Sequence, residues 1–160
     1  EEDKSKIEKL EFPIKKAKSD LELALDYILS LNNDLESNNC IKLCEVYGAT
    51  GTRLDHSLCN IFFLEKYAKK GLQIVLKNDK NEIRYLTKGI YAIEAKNEKT
   101  YHSFLAYPED CKITLKNFEY EVENQNIEIG SSLAISNHVL NSVGIVEVDG
   151  RGVFSISSID

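Results

Sequence analysis

Two glycines lie where the sequence pattern changes from strand-like to helix-like. This feature constrains the possible fold of the chain more than any other. Residues 41–46 alternate as a β-strand does, and apolar residues at helical spacing run from about Leu54 to Lys70. Between them lies the turn at 48–56, G-A-T-G-T-R-L-D-H. In an open α/β sheet, ligands bind at such turns, outside the carboxyl ends of the strands. The sequence therefore predicts a ligand-binding turn at a strand-to-helix junction.

The residue types in this turn suit a phosphate group. Glycines such as Gly51 let backbone N–H groups approach a phosphate closely, and a helix N-terminus adds positive potential. Arg53 offers a planar fork to phosphoryl oxygens, and Asp55 can hold a magnesium ion or a substrate hydroxyl. The Thr50 hydroxyl either donates to a phosphate or closes the turn, and His56 either donates to a phosphate or orients its neighbour. The alternative for so short a motif is a tight turn with a capping aspartate and a solvated arginine.

Composition excludes several classes of partner. The 160 residues are 42% hydrophobic and 29% charged, with a formal net charge of −6. Such an acidic chain is a poor candidate for sequence-independent nucleic-acid binding. No apolar run reaches the length of a membrane span, and no signal peptide follows the charged start. We therefore expect no nucleic-acid partner, no membrane partner and a cytoplasmic location.

The four cysteines form no C-x-x-C pair, which argues against a zinc site. They are Cys40, Cys44, Cys59 and Cys111. The sequence predicts free buried thiols in a reducing compartment.

Residues 1–77 are predicted to form the α/β portion of the fold, with a parallel sheet. Ser19 and Glu22 form a capping-box pattern before a helix with apolar residues at helical spacing. The strand at 41–46, the glycine turn, the second helix and a strand at 72–76 follow in that order. This alternation is typical of a parallel α/β sheet.

Residues 78–160 are predicted to form an all-β sandwich. A hairpin turn at 78–81 opens this part, and short alternating segments without helical periodicity follow. Short strands at this spacing are typical of a sandwich. The predicted strands are 82–86, 89–94, 102–106, 111–116, 119–122, 127–129, 144–148 and 153–157, with turns at 97, 108–110, 124–126 and 149–150.

Four motifs in order resemble the thiamin pyrophosphokinase (thiamine diphosphokinase) family. They are K-A-K-S-D at 16–20 with A-L at 24–25, the glycine turn at 48–56, G-S-S-L-A-I-S-N at 130–137, and G-V-F-S-I at 152–156. The resemblance covers nearly the whole chain. It implies transfer of pyrophosphate from ATP to the hydroxyl of thiamine with Mg²⁺, giving thiamine diphosphate and AMP. It also implies a thiamine-binding β-sandwich after the α/β domain, and active sites at the interface of a homodimer.

The resemblance implies a role for each matching residue. The catalytic residues are Asp20, Arg53 and Asp55, with Asp20 also on the metal; the nucleotide contacts are Thr50, Gly51, Arg53, Asp55 and His56; the thiamine contacts are Lys16, Ser19, Asp20, Ser136 and Asn137. Each position also has a plain structural interpretation. Asp20 suits the first turn of a helix, and Ser-Asn is common in turns at strand ends. His102 and His138 are interpreted as surface residues.

Two departures from the family pattern leave the activity of this chain open. Residues 1–20 contain no G-D-x-D-S motif, so the chain resembles a member that lacks its N-terminal part. Ala17 stands where the family has the first aspartate of K-D-x-T-D. The alternative hypothesis is a truncated fragment that binds thiamine or nucleotide without turnover. A third hypothesis, an unrelated α/β nucleotide binder, requires the match at 130–137 to be chance.

Overall fold

A computed structural model describes residues 17–33, 39–95 and 100–159. These residues form two compact units, one through Ile41 and one from Lys42 onward. The elements in chain order are α1 (Asp20–Asn33), β1 (Leu43–Tyr47), α2 (Leu54–Ala68), β2 (Gln73–Lys77), β3 (Asn81–Glu94), β4 (Thr100–Ala106), β5 (Cys111–Lys116), β6 (Val122–Ile127) and β7 (Val143–Ile159).

The first unit is built on α1. The Ser19 hydroxyl accepts a hydrogen bond from the Glu22 backbone N–H at 3.2 Å, so the predicted N-cap is confirmed. At the other end, the Asn32 amide donates to the carbonyl of Ile41 at 2.9 Å and accepts from its N–H at 2.8 Å. Asn32 therefore fixes the chain where it leaves the helix.

The second unit contains a single seven-stranded sheet in the order β1-β2-β3-β7-β5-β6, with β4 paired to β7. The pair β1 and β2 is parallel, and α2 provides the crossover between them. The remaining pairs are antiparallel. The predicted strand, glycine turn, helix and strand are confirmed here, and so is the hairpin at 78–81. The predicted fold class is confirmed in part, because the later strands share one sheet with the parallel pair.

The strand β7 corrects the prediction of two strands separated by a turn at 149–150. It is continuous over 17 residues and pairs with β3 along both halves. Gly150 and Gly152 lie inside it with φ of +147° and +157°. A Cβ on Gly152 would lie 2.4 Å from the Tyr85 ring. The glycines therefore mark a bend with close backbone approach within a strand. The predicted turn at 124–126 is likewise wrong, since it lies within β6.

The main core lies between β4 on one side and β5, β6 and the first half of β7 on the other. Its largest fully buried members are Phe104, Phe118, Ile113, Leu115 and Ile127, all at most 1% exposed. Phe104 and Phe118 meet edge to face, with ring centroids 5.8 Å apart. This packing holds β4 and the loops next to it in place.

The helix α2 buries a different face from the one that its leading leucines suggest. Leu54 and Leu58 are 73% and 54% exposed, whereas Leu64 and Tyr67 are fully buried.

Cys59 is also exposed, so the prediction of buried thiols is wrong for this residue. Within the residues described above, neither helix combines the length and the apolar character that crossing a membrane requires.

Candidate functional site

The glycine turn is held in shape by polar side chains from the first two turns of α2. The Gly51 N–H donates to the Ser57 hydroxyl at 3.1 Å, and that hydroxyl lies 3.1 Å from the carbonyl of Arg53. The Asn60 amide donates to the carbonyl of Ala49 at 2.7 Å. Two side chains of the helix that follows the turn therefore fix its backbone at Ala49 and Gly51.

Arg53 and Asp55 form a two-pronged ion pair at the start of α2. Arg53 Nε donates to Asp55 Oδ1 at 3.2 Å, and Nη2 donates to Oδ2 at 2.5 Å. The guanidinium holds the pKa of the Asp55 carboxyl below its usual range, and the backbone N–H of His56 adds to this effect. Both side chains are about two-thirds exposed, so the pair itself is screened by solvent. Its geometric effect is to orient the guanidinium beside the first N–H groups of α2.

Asn78 connects the glycine turn to the hairpin after β2. Its Nδ2 donates to the Thr50 hydroxyl oxygen at 2.8 Å. Its Oδ1 accepts from the backbone N–H groups of Lys80 and Asn81 at 2.9 and 2.7 Å. Because the Thr50 oxygen accepts this bond, its own O–H is directed elsewhere and can donate to a ligand. The local sequence indicates only a turn at Asn78; the signal that could have placed it at the site is its position just after β2, because the carboxyl ends of parallel strands meet at one sheet edge.

A polar cavity of about 200 Å³ opens where β1 and β2 end. Lys77 lines it and forms ion pairs with Glu45 of β1 and, at 3.9 Å, with Glu82 of β3. The ammonium lowers the pKa of the Glu45 carboxyl, and the pKa of Lys77 is raised in turn. Asn78 lines the same cavity, so the cavity adjoins the glycine turn. Pockets for drug-sized ligands have volumes of about 300–1,000 Å³, so this cavity can enclose only part of such a ligand.

Asn137 is buried and its side chain bonds to its own chain. Its Oδ1 accepts from the backbone N–H groups of Tyr120 and His138, each at 3.0 Å. Its Nδ2 donates to the carbonyl of Tyr120 at 2.7 Å, and its backbone exchanges two hydrogen bonds with His102 of β4. Ser136 beside it is exposed and has φ of +56°, in the left-handed region. The structure thus anchors Asn137 firmly and presents Ser136 outward.

The prediction that His102 and His138 are surface residues is wrong. His102 is 1% exposed, and its Nδ1 lies 3.0 Å from the Ser157 hydroxyl. His138 is half-buried, with its ring centroid 4.4 Å from that of Tyr101. The alternation of β4 explains the first error, because every second residue from Thr100 to Ala106 faces the interior.

The remaining predicted residues lie in the first compact unit or outside the described residues. Ser19 caps α1, and Asp20 is the exposed first residue of that helix. Lys16 lies outside the described residues. Among residues 17–33, 39–95 and 100–159, no group of three or more His, Cys, Asp or Glu side chains is arranged to hold a metal ion.

Two family models match this chain. The model described as "Thiamin pyrophosphokinase, catalytic domain" matches residues 1–76, and the one described as "Thiamin pyrophosphokinase, vitamin B1 binding domain" matches residues 90–151. The thiamine pyrophosphokinase of Bacillus subtilis (strain 168) is 35% identical over 163 residues, which cover 98% of this chain and 69% of that protein.

Solved structures of such proteins share the fold. A crystal structure of thiamine pyrophosphokinase from B. subtilis superposes with a TM-score of 0.82 at 35% identity, over 91% of this chain. One of thiamin pyrophosphokinase from Geobacillus thermodenitrificans superposes with a TM-score of 0.78 at 30% identity, over 93% of this chain. In each case the present chain spans 65% of the other protein's length.

Proposed function

Because the chain belongs to the thiamin pyrophosphokinase family, we propose that the protein transfers pyrophosphate from ATP to the hydroxyl of thiamine, giving thiamine diphosphate and AMP. The observation that carries this proposal is the braced glycine turn with the Arg53–Asp55 pair at the start of α2. Pyrophosphoryl transfer depends mostly on positioning and on neutralising charge. A fixed turn of backbone N–H groups beside an oriented guanidinium supplies both.

On the nucleotide side, we propose that the turn binds the phosphate chain of ATP. The N–H groups of the first turn of α2 face the phosphates, and the Thr50 hydroxyl donates to one of them. The Arg53 guanidinium neutralises the charge that develops on the transferred group. Asp55 holds the guanidinium in position, and His56 donates to a phosphate or orients Asp55. The polar cavity next to the turn accepts a further part of the nucleotide.

On the vitamin side, we propose that thiamine lies against Ser136 and Asn137 at the interface of a homodimer. The exposed Ser136 hydroxyl can hydrogen-bond a ring nitrogen, and the Nδ2 group of Asn137 retains one hydrogen beyond its bond to Tyr120. We also propose Lys16, Ser19 and Asp20 as thiamine contacts, as the matching family motif implies. Full burial of Asn137 in the isolated chain favours Ser136 as the primary contact.

We propose that Mg²⁺ enters the site bound to the nucleotide phosphates. Mg²⁺ is commonly held by one or two carboxylates together with substrate phosphates, rather than by an all-protein cage. We propose the exposed Asp20 carboxylate at the start of α1 as such a ligand. When bound, the ion would neutralise phosphate charge.

We propose the same domain division as the sequence suggests, with a nucleotide-binding catalytic part at 1–77 and a thiamine-binding β part at 78–160. The two family matches, at 1–76 and 90–151, support this division. We also propose a cytoplasmic location, which the free thiols of Cys40, Cys44, Cys59 and Cys111 support.

A second candidate function is binding of thiamine or nucleotide without turnover. It is favoured by Ala17, which stands where the family motif has an aspartate. Alanine offers neither charge nor a hydrogen-bond acceptor at that position. Calorimetric titration with thiamine and with Mg-ATP separates the two functions, because this second candidate requires binding in the absence of catalysis.

The proposed function is tested by measuring AMP formation from Mg-ATP by the intact protein, with and without thiamine. We expect AMP formation that depends on thiamine and is lost in Arg53→Ala. Lys69→Ala is the matched control, because it removes a cation from the far end of α2, where Lys69 pairs with Glu65. Absence of thiamine-dependent AMP formation by the wild-type protein would refute the proposal.

A further inference from the structure

The segment at 134–140 occupies the edge of β4 opposite β7 and continues the hydrogen bonding there. The N–H of Phe104 donates to the carbonyl of Ala134 at 2.8 Å, and His102 and Asn137 exchange bonds of 2.7 and 2.9 Å. On its other side, the segment pairs with residues 117–120 through the N–H of Leu140 and the carbonyl of His138. The segment is therefore anchored on both sides like an irregular strand.

Ser136 lies in this segment with a strained backbone. Its φ of +56° is in the left-handed region, which a non-glycine residue adopts only when its surroundings enforce it. The Ser136 N–H donates to the hydroxyl of Ser103 of β4 at 3.0 Å. Ala134 and Asn137 are bound on either side of it, so this bond fixes the orientation of the peptide between two anchors.

We propose that Ser103 is a positioning residue for thiamine, which acts by holding Ser136 in the conformation that presents its hydroxyl to the vitamin. This inference rests on the proposed function, in which Ser136 contacts thiamine. Without the Ser103 hydroxyl, the peptide before Ser136 can relax out of the left-handed region. The bonds at Ala134 and Asn137 remain, so the fold is retained while the hydroxyl loses its fixed direction.

The test compares Ser103→Ala and Ser103→Thr in the intact protein, with Ser132→Ala as a control that removes an exposed hydroxyl from the loop just before the segment. Alanine removes the acceptor and threonine retains it. The readouts are the KM for thiamine, the KM for ATP, and hydrogen exchange of the Ser136 amide. In Ser103→Ala we expect the thiamine KM to rise about three- to tenfold, as the loss of one hydrogen bond predicts, with the ATP KM unchanged.

We expect the Ser136 amide to exchange faster in Ser103→Ala, and both effects to be reversed in Ser103→Thr and absent in Ser132→Ala. An unchanged thiamine KM in Ser103→Ala, an equal rise in the KM of both substrates, or failure of threonine to restore binding would overturn the inference. If Ser103→Ala does not fold, Ser103→Cys keeps the side-chain size with a weaker acceptor and is held to the same outcomes.

The failure of this inference is distinguishable from failure of the proposed function. A wild-type protein without thiamine-dependent AMP formation refutes the function. The Ser136 amide exchange still tests whether Ser103 restrains the segment, and unchanged exchange in Ser103→Ala refutes that restraint.

Discussion

The Asn137→Ala substitution should destabilise the protein, even though the residue is proposed to lie at a ligand site. The substitution removes three hydrogen bonds. Two are accepted by the side-chain oxygen from the N–H groups of Tyr120 and His138, and one is donated by the side-chain nitrogen to the carbonyl of Tyr120. At about 1 kcal/mol each, the sum is about 3 kcal/mol. Water can reach the Tyr120 side, because this residue is 64% exposed. We therefore expect a loss of about 2–3 kcal/mol in the free energy of unfolding.

The assay is urea unfolding at equilibrium, followed by circular dichroism. We expect a lower midpoint with an unchanged m-value, which indicates a change in stability rather than in the surface exposed on unfolding. In a thermal scan, the same loss corresponds to about 5–10 °C for a domain of this size. Asn126→Ala is the matched control, because it truncates an exposed asparagine in β6 and should change stability by less than about 0.5 kcal/mol.

Asn137→Asp separates the contributions of the two ends of the amide. The aspartate keeps an oxygen for the N–H groups of Tyr120 and His138 but loses the donor to the Tyr120 carbonyl.

We expect thiamine binding to weaken more than nucleotide binding in Asn137→Ala, because the anchored segment includes Ser136. A loss of stability below about 1 kcal/mol in Asn137→Ala would contradict the view that this amide is an anchor of the fold.

Three further predictions concern the second unit. Arg53→Ala should weaken Mg-ATP binding, measured by calorimetry, more than thiamine binding, because we propose that its guanidinium binds the nucleotide phosphates; equal losses for both ligands would contradict the proposed division of the site. Lys77→Met should raise the pKa of Glu45, followed by NMR titration, because the ammonium that lowers this pKa is removed. A carboxyl group whose pKa is lowered on folding stabilises the fold at pH values above its ordinary pKa, near 4.5. This stabilisation is lost as the pH falls, so the variant, which lacks it, should lose less stability on acidification. Gly152→Ala should cost about 2–4 kcal/mol in urea unfolding, because its Cβ would meet the Tyr85 ring at 2.4 Å; an unchanged midpoint would show that the ring moves aside freely.

The elements from the glycine turn to the hairpin at 78–81 could be predicted, because each is indicated by residues that lie close together in the sequence. The glycine turn, the helix after it and the hairpin at 78–81 each follow from residues close in sequence. The cap of α1 at Ser19 follows from a pattern of four residues. The motif at 130–137 is also recognisable from the sequence, because the resemblance to the family rests on short matching segments.

What could not be predicted depends on residues far apart in sequence. The burial of His102 is set by the alternation of β4 relative to β7, and the register of that pairing has no local signal. Asn78 and Thr50 are 28 residues apart, and the contact between Ser103 and Ser136 spans 33 residues. Gly150 marks a turn in most sequences, and only the pairing of both halves of β7 with β3 shows that the strand continues through it.

The long strand β7 has a consequence for attempts to separate the halves of this protein. It hydrogen-bonds with β3, β4 and β5, and β3 in turn pairs with β2 beside the glycine turn. Cutting the chain after Lys77 would sever the hairpin that connects the nucleotide-side strands to the rest of the sheet. An excised N-terminal fragment would expose an unpaired β2 edge and should aggregate. Domain exchange between relatives therefore requires crossover points outside the sheet, and local melting of β7 should disrupt its pairing with β3, β4 and β5 in one cooperative event.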